Sequence, residues 1–422
     1  MTRVSTSLFP LLFFARISGL IVAALVISWA LLFKSSFLPQ SSSHEDLIYA
    51  VLHPLLMVIG FILLSGEAIL VHRWLPGSGN LKKSVHLCLQ GVALASGIFG
   101  IWTKFQGKDG IVANFFSLHS WMGLICISLF GAQFYYGNKR GHCKTNIGKT
   151  QRIGCGSSQK GSMHRFRCLF GWLNEREKAE MGIPVVRFSM MTTLIRVIGL
   201  AVLVLVITWT FHFRGGVSLS STTKDLTLIF NVHPVLLVIS LILLNGEAML
   251  AYKTVSGTKS LRKTVHLTIQ SVVFLLSVIG VWAAYWFHNL KGVDDFYSLH
   301  SWLGLACLFF FSIQWAAGFS TFWYPGGSIS SRASLLPWHV FFGIYIYALA
   351  IVTAATGFLE KATFLQVHHI ISRYSTEALL VNTLGMLIVA LGGIVILALV
   401  TPMNGKGNAY KPLEYAMQHP SV

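Results

Sequence analysis

Charge is scarce in this sequence. Asp, Glu, Lys and Arg make up 11% of its 422 residues, against about a quarter in soluble domains. The shortage is deepest for acidic residues, 14 against 32 basic ones. So little charge cannot clothe a water-soluble globule, and a mean hydropathy of +0.66 with 54% apolar residues excludes that class. Cysteine is sparse too. Of the six, Cys88, Cys126 and Cys307 fall in apolar runs and Cys143, Cys155 and Cys168 in a polar stretch, which excludes a disulfide framework. The last three, with His142 and His164, match no zinc-module spacing.

What the chain does have is long apolar runs. Ten of them, each able to cross a bilayer core of about 30 Å, cover Leu12–Phe33, Leu47–Val71, Val85–Phe105, Phe115–Tyr136, Met190–Phe213, Leu226–Tyr252, Val265–Phe287, Phe296–Phe319, Leu336–Leu359 and Ala378–Val400. The fold class expected is an all-α membrane protein of about ten transmembrane helices. The first run is too long for a signal-peptide core and lacks a small-residue cleavage site, so it is taken as the first span. The net charge of +18 then reports topology rather than nucleic-acid binding. With the N-terminus in the cytosol, 22 Lys and Arg fall in cytosolic segments and eight on the opposite face, while Arg16 and Arg196 lie just inside cytosolic helix ends. That imbalance puts both termini in the cytosol.

Self-comparison exposes a repeat at an offset of 180 residues. Arg16 and Trp29 match Arg196 and Trp209, HPLLMVIGFILLSGEAIL from His53 matches HPVLLVISLILLNGEAML from His233, and LKKSVHL matches LRKTVHL. FFSLHSWMGL around His119 matches FYSLHSWLGL around His300 at an offset of 181. The first copy, residues 1–137, has four spans; the second, 181–403, has six. An even count in the first copy gives both the same orientation. Residues 138–180 form a basic, glycine-rich linker without sustained hydrophobic periodicity, expected to be disordered, and 404–422 a cytosolic tail.

Histidine inside a span is costly and needs a reason. In the second copy His233, His266, His300 and His339 each lie in the first turns of a different helix. Alternating helix direction pairs His233 with His300 at the outer depth and His266 with His339 at the cytosolic depth. Two imidazoles facing each other can supply both axial ligands of a haem iron, a closed coordination that suits electron transfer. A proton relay or metal-ion transporter of parallel repeats, without haem, is the competing reading. Glu67 and Glu247 keep it open, although each lies near a cytosolic helix end and reads as surface.

At these residues the chain resembles the cytochrome b561 family, and its second half is similar to the plant transmembrane ascorbate ferrireductases. The likeness runs from about Met181 to Met403 and rests on HPVLLVISLILLNGEAMLAYK, LRKTVHL, FYSLHSWLGL, FWYPGG and SRASLLPWHVFFGIYIYALA. It implies two b-type haems, held by His233 with His300 and by His266 with His339, the pairing topology gives independently. It also implies ascorbate at the cytosolic face, held by Lys259, Lys263, Arg332 and Ala333. An anion does need fixed positive charge, and Lys259 and Lys263, four residues apart, share a helix face. Positive-inside anchoring is the plainer account of the same residues. On the opposite face the resemblance places the acceptor, monodehydroascorbate or a ferric chelate, among Phe287, His288 and Tyr297. It further implies a homodimer, whose contacts two copies in one chain would imitate as a pseudo-dimer. Endomembranes, the vacuolar one above all, and the plasma membrane are the locations it suggests. The function expected is that of an ascorbate-dependent transmembrane oxidoreductase.

The first copy departs from this pattern. It keeps His53, His86 and His119 but has no helix for a fourth ligand, so a third haem is expected only between His53 and His119, and His86 lacks its counterpart. Gly79 stands in place of Lys259, Gln106 of His288 and Phe116 of Tyr297, and nothing replaces Arg332. Met181, followed by GIPVVRF, reads as the natural start of a complete member, so two neighbouring genes joined in one chain is a further alternative.

Overall fold

A bilayer offers no partner for backbone N–H and C=O groups, so apolar runs of this length close their hydrogen bonds internally as helices. The computed structural model describes residues 9–32, 44–105, 115–147, 188–220, 222 and 225–401, and among these there are helices and no strand. The chain divides into two units between Ser158 and Gln159, within the stretch read as linker. In the first unit α1 is Phe9–Leu32 and α2 runs as His44–Leu55, a π-wound Leu56–Leu63 and Leu64–Trp74. Then follow α3, Gly79–Phe105, and α4, Leu118–Ile147. In the second, α5 is Phe188–Thr208 prolonged by π-wound Trp209–Phe213, and α6 crosses as Thr227–Thr254. After it come α7, Lys259–Lys291, α8, Leu299–Phe322, α9, Ile329–Val367, and α10, Thr376–Val400.

Nine of these helices among the described residues are long and apolar enough to span a membrane. The tenth run lies in α4, where His119, Ser120 and Gln133 dilute it. Helix α4 continues through Ile147, so residues 138–147 are helical where a linker was expected. Residues 148–187 and 402–422, with Cys155, His164 and Cys168, lie outside the described residues, as does Gln106. Helices α7 and α9 are longer than the runs that announced them, 33 and 39 residues. At 1.5 Å per residue they reach roughly 50 and 58 Å, beyond the bilayer core. His266 and His339 therefore sit two to three turns inside their helices rather than in the first turn.

Each helix start in the second half of unit two is fixed by a hydroxyl that accepts an otherwise orphaned N–H. Thr258, Ser298, Ser328 and Ser375 accept from Leu261, Ser301, Ser331 and Ala378 at 3.1–3.3 Å. At the far end of α10, Lys253 Nζ donates to the carbonyls of Ala398, Leu399 and Thr401 at 2.6–2.9 Å. Helix α5 is tied to α10 by buried Glu377, which takes Trp209 Nε1–H at 2.9 Å and pairs with Arg214. Both copies carry π winding just after the His-Pro pair, at Leu56–Leu63 and Val238–Leu244. Pro54 and Pro234 supply no N–H there, and the widened turn re-satisfies the neighbouring backbone. Arg16 grips Glu67 with two nitrogens at 3.1 Å, and Arg196 reaches Glu247 at 3.5 Å. The two glutamates thus join α1 to α2 and α5 to α6.

Candidate functional site

The four histidines of unit two meet in two pairs. His233 of α6 and His300 of α8 have ring centroids 5.9 Å apart and perpendicular planes. His266 of α7 and His339 of α9 stand 6.3 Å apart at 72°. A metal bonded to one nitrogen of each ring at about 2 Å, in a straight line, sets the centroids roughly 6 Å apart. Both pairs have that spacing, so the residues fit the two axial positions of a haem.

In three of the four rings one nitrogen is already engaged. His233 Nδ1–H donates to Gly280 O at 3.0 Å, His266 Nδ1–H to Ala248 O at 2.8 Å and His300 Nδ1–H to Thr353 O at 2.9 Å. A carbonyl oxygen only accepts, so Nδ1 carries the proton and Nε2 is left bare, the tautomer a metal requires. The bracing is reciprocal. Helix α6 gives His233 at one end and Ala248 O at the other; α7 gives His266 and Gly280 O; α9 gives His339 and Thr353 O. Helix α8 breaks the rule, and His339 Nδ1 is buried with no hydrogen-bond partner among the described residues. Glycines let helices close on the rings. A Cβ at Gly357 would stand 2.6 Å from His300 Cε1, and one at Gly318 2.8 Å from His339 Cε1.

The depth between pairs follows from the same helices. His233 and Ala248 are separated by about 22 Å of α6, and His339 and Thr353 by about 21 Å of α9, at 1.5 Å per residue. Between them Phe274 of α7 stacks on Phe311 at 6.3 Å and on Trp315 at 6.0 Å, both from α8.

Around the His266–His339 pair, the expected anion-binding residues line one loop. Lys263 Nζ donates to Phe322 O at 2.9 Å and lies 5.0 Å over the Trp323 ring. A Cβ at Gly326 would meet Arg332 Nη2 at 2.9 Å, so Lys263 and Arg332 both approach the Trp323–Gly327 turn. The Phe322 ring in turn packs on His339 at 5.3 Å. Lys259 is the exposed first residue of α7, one turn before Lys263, and Ala333 is exposed beside Arg332.

At the other end Phe287 packs on Phe230 at 5.3 Å, and Phe230 on His233 at 5.9 Å. His288 Nδ1–H donates to Asp295 Oδ1 at 2.8 Å. Tyr297 is exposed on the loop, and desolvation of its phenol, with the nearby Glu360 carboxylate, pushes it above its usual range. Two polar groups here escaped the sequence reading. Asp295 is one; the other is Lys361, partly buried with Nζ 4.6 Å over the Phe230 ring. Both are ordinary residues near a helix end, and only the fold brings them to the site.

In unit one His53 and His119 repeat the straight-pair geometry, 6.1 Å apart at 79°, with His53 Nδ1–H on Gly100 O at 2.7 Å. His86 Nδ1–H donates to Ala68 O at 2.7 Å, as His266 does to Ala248. Its ring neighbour is His72 of α2, 5.2 Å away at 44°. The repeat alignment hid it, because the matching residue is Tyr252, 5.7 Å from His266. The shorter spacing departs from that of the three straight pairs.

Comparison with known proteins places these features. The family model described as eukaryotic cytochrome b561 matches residues 52–140 and 232–365. Transmembrane ascorbate ferrireductase 2 of Arabidopsis thaliana is 66% identical over 226 residues, 54% of this chain and 97% of that protein. Ascorbate-specific transmembrane electron transporter 2 of Zea mays is 37% identical over 226 residues, 53% of this chain and 94% of that protein. Probable transmembrane ascorbate ferrireductase 4 of Arabidopsis thaliana is 31% identical over 418 residues, 99% of this chain and 97% of that protein. With more than half of its residues inside the family model and a relative aligned almost throughout, the chain belongs to the cytochrome b561 family.

Proposed function

We propose that residues 181–403 carry electrons from cytosolic ascorbate, through two bis-histidine b haems, to an acceptor on the opposite face, monodehydroascorbate or a ferric chelate. The observation that carries this reading is the presence of two imidazole pairs, with ring centroids 5.9 and 6.3 Å apart, at opposite ends of the same four helices. Relatives named for ascorbate-dependent reduction or electron transport support the donor. Bound there, each haem supplies one-electron chemistry at an iron closed to further ligands.

The chain's own residues do the rest. His233 with His300, and His266 with His339, hold the groups through Nε2, and the carbonyls of Gly280, Thr353 and Ala248 keep three of those rings from turning. Phe274, Phe311 and Trp315 fill the interval between the pairs and exclude water. Lys259, Lys263 and Arg332 attract the ascorbate anion to the turn that abuts His339, with Ala333 leaving room beside the guanidinium. Phe287, His288 and Tyr297 form the exit. Unit one, with a single straight pair, holds at most one haem by this geometry and does not by itself carry electrons across. The membrane is an endomembrane, the vacuolar one being our choice.

His339→Ala tests the route. The purified variant should lose one haem of unit two and its reduction by ascorbate, while the His233–His300 haem remains and takes electrons from dithionite. Ascorbate reduction at the normal rate would overturn the entry path, and purified wild-type protein without a haem absorption band would favour a carrier of ions instead.

A further inference from the structure

The loop between α7 and α8 is folded back on the end of α7. Gly292, at φ +65°, takes the left-handed conformation that ends the helix, and Val293 N–H returns to His288 O at 3.0 Å. Trp302 Nε1–H holds Phe296 O at 2.7 Å, and Tyr297 lies near the Glu360 carboxylate of α9. These ties bring Asp295, seven residues on, against His288, both side chains partly buried. An acceptor oxygen at Nδ1 fixes the ring's rotation and its tautomer, so proton exchange is confined to Nε2. The His288 ring packs on Phe287 at 5.9 Å, which leads through Phe230 to His233, the ligand candidate of the same end. In sequence the matching stretch of the first copy, residues 103–114, contains no histidine, and Asn114 stands in place of Asp295 at the 181-residue offset.

We propose that Asp295 is a positioning residue that holds His288 as the proton donor of the exit site, which is thereby built for an acceptor that takes a proton with its electron. This rests on the exit assignment above. Monodehydroascorbate is such an acceptor. A haem held by His233 and His300 would supply the one electron, and His288, as the imidazolium with its Nδ1–H on Asp295, would give its Nε2 proton to the radical anion. An O–H bond forms on the acceptor as the N–H bond breaks, the product is the ascorbate monoanion, and outside water returns the proton to Nε2. A ferric chelate needs the electron alone and draws nothing from the dyad. Among the described residues the other charged and titratable groups at this end include Asp294 and Lys291 on the α7 side, Glu360 and Lys361 on α9, Tyr297 on the loop, His233 on α6 and His300 on α8, with Asp225 near Lys291 and the Arg214–Glu377 pair near Lys361.

The full-length protein in sealed vesicles, loaded with ascorbate, is offered monodehydroascorbate or ferricyanide outside, and reoxidation of the haem bands is timed. Wild-type reoxidation by monodehydroascorbate should slow about twofold in deuterium oxide, that by ferricyanide should not. Asp295→Ala should lower the ratio of the two rates about tenfold. Asp295→Asn, whose Oδ1 still accepts from Nδ1–H, should restore most of that ratio, which a merely structural contact does not require. A ratio unchanged in Asp295→Ala, or no solvent isotope effect in the wild type, overturns the proposal. If Asp295→Ala fails to retain haem, His288→Gln carries the same expectation and the same refutation. Wild-type protein that reduces neither acceptor sinks the exit assignment itself; one that reduces both with an unaffected ratio sinks only the role of the dyad.

Discussion

Gly357→Ala tests whether helix packing, and not only the ligands, holds the outer pair. A Cβ at this position would stand 2.6 Å from His300 Cε1 and 2.8 Å from Nδ1. Both residues sit on long helices, so the ring must swing before the backbone yields. The carbonyl that receives His300 Nδ1–H belongs to Thr353, one turn earlier on the same helix, and a swing that relieves the clash breaks that bond. Two costs therefore add. Overpacking costs about 1–3 kcal/mol, and losing an orienting partner lowers metal affinity about 10–100-fold, or ~1.4–2.8 kcal/mol. The sum, about 2–6 kcal/mol, falls on one haem. Haem-to-protein ratio after purification, and the rate of haem loss to apomyoglobin, read it directly. Gly318→Ala presses on His339 at 2.8 Å, but that ring has no Nδ1 bond to lose, so only the first cost applies, about 1–3 kcal/mol. Gly393→Ala on α10 meets nothing within 4 Å and serves as the control. Unchanged haem content and spectra in Gly357→Ala, or a larger loss in Gly318→Ala, would refute this reasoning.

Three other outcomes follow from the same geometry. Lys263→Ala should raise KM for ascorbate about tenfold, with kcat at saturation held within about twofold, measured as the rate of haem reduction; an unchanged KM would make Lys263 only an anchor. His53→Ala should lower the haem count of the full chain by one, and equal counts in variant and wild type would mean the pair in unit one is empty. Glu377→Ala strands Arg214 and removes the acceptor of Trp209 Nε1–H, a loss of about 3–5 kcal/mol visible as a lower midpoint for thermal bleaching of the haems, whereas Glu377→Gln should lose less.

The histidine pairs were legible because histidine stands out in an apolar run and because antiparallel helices fix which ends share a depth. His233, His266, His300 and His339 needed no tertiary information beyond that. Helix ends were less legible: α7 and α9 outrun their apolar cores, since Thr258 and Ser328 cap them in polar sequence where hydropathy gives no signal. The bracing carbonyls were invisible, because any residue carries one and only packing decides that Ala248, Gly280 and Thr353 are used. His72 was hidden by the repeat itself, whose second copy has Tyr252 there. Asp295 was missed because its partner lies across a left-handed turn at Gly292, a contact no periodicity announces.

Reciprocal bracing also explains why losing two helices costs the first unit more than two ligands. In the complete unit every helix from α6 to α9 contributes a histidine near its start, and α6, α7 and α9 also orient another helix's histidine near their far ends. Removing the counterpart of α9 deletes the partner of His86 and, with it, the carbonyl equivalent to Thr353 that would steer His119. It does not touch Gly100 O, which belongs to α3 and still orients His53. What survives is thus a straight pair braced on one side and, at the other end, a histidine with a correct tautomer and a closer, tilted neighbour. The ligand pairs of unit two are nearly alike, so they cannot by themselves give direction to electron flow. Direction must come from the faces: a lysine and an arginine around the Trp323–Gly327 turn at one end, and an oriented imidazole at the other. In sequence the first unit keeps Lys83 in place of Lys263 but has no counterpart of Arg332 and no histidine between Thr103 and Asn114, so neither set is complete there and nothing in it marks a preferred donor side.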